Sequence, residues 1–124
     1  MTGMLRELHF RFFFFVLWAF ALFMALSPKP PQLPIDRFGD KFEHILAFAV
    51  LTLFARLGFR EASDRRILER MSFAGAMVEV LQSIPALHRD CDWRDWMADT
   101  LAVAVVLLML RAVPWRSLVP ATAK

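Results

Sequence analysis

Two polar runs break an otherwise apolar chain: Asp40-Lys41-Phe42-Glu43-His44, and the stretch from Glu79 to Asp99. Lys41 and His44 stand at i, i+3, as do Glu79 and Gln82, and Asp95 and Asp99 stand at i, i+4. On helices, each pair shares one face. A carboxylate and an imidazole brought together across such faces can move protons as general base and acid. A lysine and an arginine beside them can hold an anionic group such as phosphate. The candidate catalytic residues are therefore His44, Glu79 and Asp99, and the candidate binding residues are Asp40, Lys41, Gln82, Arg89 and Asp95.

Each of these residues has a plainer role to set against the chemical one. His44 alone is more often a hydrogen-bonded packing residue. Glu79 and Gln82 could be interhelical glue, worth about 1 kcal/mol per hydrogen bond. Asp95 could cap a helix and meet its dipole. Asp99, one turn deeper, does not fit that role. A metal reading ranks last. His44, Glu79, Asp95 and Asp99 offer hard and borderline ligands, but no short ligand motif stands in the chain. Carboxylates paired with Lys41 or Arg89 would also ligate poorly, so neither a metal nor a cofactor is expected. Familiar catalytic signatures are missing: no His-Glu-x-x-His, no Gly-x-Ser-x-Gly, no glycine-rich phosphate loop. Cys91 is the single cysteine, which excludes an intrachain disulfide.

The elements that must position these residues follow from composition. The chain has 124 residues, 58% of them hydrophobic, with 13 Phe and no Tyr. That length makes one domain, too small to hide so much apolar surface from water. A membrane resolves the conflict. The net charge is +3, but the arginines flank apolar stretches instead of lining one solvated face. Anionic lipid headgroups, and not nucleic acid, are the expected counter-charge.

The expected fold class is all-α, a membrane four-helix bundle with up-down antiparallel topology, its spans at about 10–27, 41–59, 67–87 and 95–113. Phe12 to Leu26 is an unbroken apolar run, and Arg11 before it can snorkel. It could also be a signal peptide, but Pro28 would hinder cleavage and further apolar spans follow, so a retained helix is expected. Pro28, Pro30, Pro31 and Pro34 forbid a continuing helix. Short connectors then make consecutive spans antiparallel. The basic residues split ten to five: Arg6, Arg11, Arg56, Arg60, Arg65, Arg66, Arg70, Arg111, Arg116 and Lys124 against Lys29, Arg37, Lys41, Arg89 and Arg94. That asymmetry predicts a multi-pass protein of the cell (inner) membrane with both termini cytoplasmic.

Hairpin alternation brings the polar faces to one end of the bundle. With the third span ending near residues 85–87, Glu79 should lie roughly 9–12 Å below the end of its helix at ~1.5 Å per residue. A lone carboxylate there costs about 2.5–3.5 kcal/mol on insertion scales. His44, Glu79 and Asp99 are therefore expected to share one water-accessible pocket near the outer leaflet, close to Lys41 or Arg89. The connector from Arg60 to Arg70 is expected to be a solvated charge cluster at an anionic surface.

The same residues resemble a known pattern. Asp40-Lys41-x-x-His44-x-x-x-Phe48-x-x-Leu51, then Gly75-x-x-x-Glu79-x-x-Gln82, then Arg89, Asp95 and Asp99 resemble the VanZ-like family of small bacterial membrane proteins. The chain departs from the family in Asp99, where the family usually has Asn, and in Thr100-Leu101-Ala102-Val103, where it has glycines. The resemblance implies a four-helix integral membrane protein of a family associated by name with glycopeptide (teicoplanin) resistance; it supplies no reaction.

Two readings of function stand nearly level. In one, the polar pocket binds or modulates a lipid or glycan component of the cell envelope. In the other, the protein is a membrane-embedded enzyme, hydrolase- or transferase-like, acting on a lipid-linked envelope substrate with Glu79 or His44 as general base. Membrane lipids are the expected partners in both.

Overall fold

A computed structural model describes residues 2–27, 39–87 and 92–114, with the side chains of residues 2–5, 40 and 41 outside the description. Among the described residues the structure is all-helical: α1 (Thr2–Leu26), α2 (Asp40–Gly58), α3 (Asp64–Gln82) and α4 (Trp93–Arg111), with a short 3-10 turn at Pro85–Leu87 between the last two.

Local chemistry sets these boundaries. Ser27 precedes Pro28, whose ring disfavours helical geometry in the residue before it, and α1 stops at Leu26. Gly39 starts α2 with φ of 94°, a left-handed conformation that glycine adopts without steric cost. Ser63 caps α3, its hydroxyl accepting from the Arg66 backbone N–H at 3.1 Å. Asp92 caps α4 in the same way, accepting from Arg94 N–H at 3.0 Å. Pro114 lies just past the end of α4 and cannot continue it.

Two expected boundaries are corrected by five residues or more. The first helix begins well before residue 10, because Thr2 to Phe10 contains no breaker except an early glycine. The third helix ends at Gln82 and not at residue 87. Pro85 has no N–H to offer and pushes Ile84 out of the helical region, so the chain turns into the short 3-10 segment instead.

The helices meet start to end. Arg11 near the start of α1 donates to the Gly58 carbonyl at the end of α2. Arg111 at the end of α4 bonds Asp64 at the start of α3 at 2.9 Å. α2 packs chiefly on α1 and α4, and α4 also packs on α3. The core lies where they converge: Phe14 from α1, Phe48, Leu51 and Ala55 from α2, Ile67 and Met71 from α3, Val103 and Leu107 from α4. Trp18 meets Phe48 edge to face with ring centroids 5.9 Å apart. At Gly58 the α1 and α2 backbones touch; a Cβ there would lie 2.9 Å from the Arg11 nitrogen.

Outside this core the surface is strongly apolar. Phe12 is 63% exposed, Phe73 68% and Leu101 65%. Among the described residues one helix, over Arg6–Leu26, is long and apolar enough to cross a membrane. The other three have the length, 19 residues each, but carry too many charged residues to qualify by composition.

Candidate functional site

His44 lies in the second turn of α2, Glu79 in the last turn of α3 and Asp99 in the second turn of α4. Glu79 is thus about 4.5 Å along the axis from the final residue of its helix, shallower than expected, because α3 stops before Pro85. It is nevertheless buried, as is Asp99, while His44 is half-buried. One ligand-type atom from each of the three lies within 4.8 Å of those of the other two. Nδ1 of His44 and Oδ1 of Asp99 are 3.4 Å apart, an ion-pair distance whose geometry falls short of a hydrogen bond.

The carboxylates are incompletely satisfied. Oε2 of Glu79 accepts from the Asp92 backbone N–H at 3.1 Å, but its Oε1 and both oxygens of Asp99 are buried with no hydrogen-bond partner among the described residues. Bare buried carboxylate oxygens are expensive, so such groups call for a donor, water or a cation. Gly75 leaves room beside them: a Cβ at that position would come to 3.4 Å from Oδ2 of Asp99 and from the Phe48 ring. Asp95, one turn before Asp99, is buried and within electrostatic range of all three.

The remaining candidates fall elsewhere or outside the description. The amide of Gln82 donates to the Ala25 carbonyl at 2.9 Å and so ties α3 to α1. Asp95 is not the cap of α4; Asp92 fills that role, since the helix begins two residues earlier than expected. Asp40 and Lys41 stand in the first turn of α2 with their side chains outside the described set, and Arg89, like His88 and Cys91, lies outside the described residues. Neither cation expected to hold an anion is therefore among the described side chains. What is described is a cluster of buried acceptors with one imidazole.

A second polar cluster, which sequence reasoning missed, lies at the opposite end of α2. Arg56 is 2% exposed. It bonds the Asp64 carboxylate and the Ala62 carbonyl, and the carbonyls of Phe59 and Arg60 at 3.1 Å each. Glu7 is also buried, accepting from Arg11 and from the Arg60 N–H at 3.2 Å each. Burial pushes the Asp64 carboxyl up, but hydrogen bonds from Arg111 and Arg56 outweigh it and hold the group below the usual carboxylate range. The connector is thus only partly a solvated charge cluster. Arg65 and Glu69 are exposed and pair with each other, whereas Asp64 is locked between two arginines. The available signal was Arg56 itself, a cation in the last turn of an apolar helix whose last carbonyls need donors.

Comparison of the chain with protein-family models, with curated proteins and with solved structures finds no match in any of the three.

Proposed function

We propose that the chain is a multi-pass membrane protein, an up-down antiparallel four-helix bundle, whose pocket at the end opposite Arg56 binds a hydroxyl-bearing lipid or glycan component of the cell envelope. The observation that carries this reading is the inverted distribution of polarity. Across 12–26, 45–59, 71–84 and 96–110 the ionisable side chains are Arg56, Glu79 and Asp99, and all three are buried. The outward positions of the same bands carry Phe, Leu, Met and Val. Charge inside and large apolar groups outside suit a lipid solvent and not water. The charges that bar α2, α3 and α4 as spans by composition are, within these bands, turned inward. The helical parts of these bands cover roughly 18–23 Å, and flanking side chains that snorkel make up the difference from the ~30 Å hydrocarbon core.

The ligand class follows from the pocket's chemistry. Buried carboxylate oxygens of Glu79 and Asp99 can accept hydrogen bonds, and sugar or polyol hydroxyls donate them. The basic-residue asymmetry supports the inner membrane with both ends of this chain cytoplasmic and the pocket toward the outer leaflet. The resemblance to the VanZ-like family supports the same architecture. The second reading, an enzyme on a lipid-linked substrate, draws on the His44–Asp99 contact beside Glu79, an arrangement suited to general acid–base work.

Mass spectrometry of lipid extracts from cells with and without the gene tests the proposal. Co-purification of an envelope lipid or glycolipid with the protein, lost in Glu79→Ala, supports binding. A changed lipid inventory in the cells, also lost in that variant, selects the enzyme. Identical extracts and no co-purifying species would sink both.

A further inference from the structure

We propose that His44, Glu79 and Asp99 form a binding site for a divalent transition cation of the zinc or manganese class. Three helices each bring one side chain, and the ligand atoms gather within 4.8 Å of one another. The protein-derived donor set is one imidazole nitrogen and two carboxylates, which suits a borderline to hard divalent ion. Ligand distances of ~2.0–2.2 Å in a tetrahedral site make its edges about 3.3–3.6 Å. The 3.4 Å separation of His44 Nδ1 and Asp99 Oδ1 equals such an edge. The Glu79 ligand atom lies within 4.8 Å of the other two and would move in to complete the set on binding.

A second observation is independent of the clustering. Asp99 is fully buried and Glu79 is 6% exposed, yet Oε1 of Glu79 and both oxygens of Asp99 have no hydrogen-bond partner among the described residues. Among the described side chains, two neighbouring carboxylates share one imidazole, at most one positive charge against two negative. A divalent cation answers both deficits at once, by neutralising the charge and by coordinating the bare oxygens. Three protein ligands leave further positions open. The inference deepens the pocket reading, since an ion there would offer its open positions to the hydroxyl or phosphate oxygens of an envelope headgroup. It does not depend on what that headgroup is.

The test uses the full chain purified in detergent micelles, with zinc and manganese as the probes. After incubation and desalting, the wild type should retain about one ion per chain by elemental analysis, bound through protein ligands. Asp99→Asn and Glu79→Gln, which keep side-chain volume, should each weaken retention by about 10-fold or more. Arg65→Ala, exposed at the opposite end of α3 and paired only with Glu69, should retain the ion. Chelation of the wild type should lower its thermal midpoint, and restoring zinc or manganese should recover it. That measurement stands even where an isosteric variant fails to purify. Folded wild-type protein that retains neither ion and is unmoved by chelator overturns the proposal, as does retention undiminished in Asp99→Asn and Glu79→Gln combined. Because ion retention is read by elemental analysis and ligand capture by mass spectrometry of lipids, the two ideas can fail separately.

Discussion

At the scale of single residues, the sharpest contrast is between two buried ionic groups. Arg56 bonds one carboxylate and three backbone carbonyls through its two terminal nitrogens. Its removal strands those carbonyls and leaves Asp64 with Arg111 alone. Arg56→Ala should therefore destabilise the protein by about 3 kcal/mol or more, as expected when one partner of a buried network is deleted. Denaturant titration in detergent measures this, and a loss below about 1 kcal/mol would contradict the structural role. Asp64 gives a pH signature. Its carboxyl is held below the ordinary range by the two arginines, so the folded state binds its proton less readily than the unfolded chain. The stability it contributes is fully present above the unfolded carboxylate value and is lost as pH falls through the lower, folded one. Wild type and Asp64→Asn should differ most in thermal midpoint near neutrality and converge in acid. A gap that widens on acidification would reverse the sign and refute the assignment.

At the scale of elements, the closest approach is between α1 and α2. A Cβ on Gly58 would meet the Arg11 backbone nitrogen at 2.9 Å, and backbone cannot swing aside as a side-chain tip can. Gly58→Ala should shift α1 outward at a cost of about 1–3 kcal/mol, as overpacking does elsewhere. Protease sensitivity of α1 in micelles would report the loosening, and an unchanged digestion pattern would argue against close packing. The charged face at the start of α3 behaves differently. Arg65 and Glu69 pair in the open, 87% and 61% exposed, and such pairs contribute little. Arg65→Ala should leave the thermal midpoint where it is, in clear contrast to Arg56→Ala.

At the scale of the whole molecule, the testable feature is the direction in which the bundle faces. The Arg56 cluster and the excess of basic residues mark one end, and His44, Glu79 and Asp99 mark the other. Topology reporters fused after Ser63 and after Lys124 should read cytoplasm, and one after Gln32 should read the outer side. A periplasmic signal after Ser63 would invert the orientation while leaving the pocket at the same end of the helices. Release of the protein from membranes by alkaline carbonate would remove the membrane reading altogether.

What could be read from the chain was set by local rules. Apolar runs bounded by prolines and charges gave four helices near their observed positions, and i, i+3 and i, i+4 spacing put His44, Glu79 and Asp99 on faces that the structure brings together. Helix ends were legible only where a breaker was decisive; Pro85 was present in the sequence, yet its effect in halting α3 at Gln82 was not foreseen. What only the tertiary structure decided concerns partners distant in the chain. Gln82 turned to the Ala25 carbonyl, Glu7 to the Arg60 N–H, and Arg56 to Asp64 and the connector carbonyls. The physical reason is that a polar side chain near a helix end bonds whichever unsatisfied backbone group or charge packing brings to it. That choice depends on how neighbouring helices meet, which periodicity along one helix does not encode. The same holds for the bare oxygens of Asp99 and Glu79, whose lack of described partners emerges only once three helices enclose them.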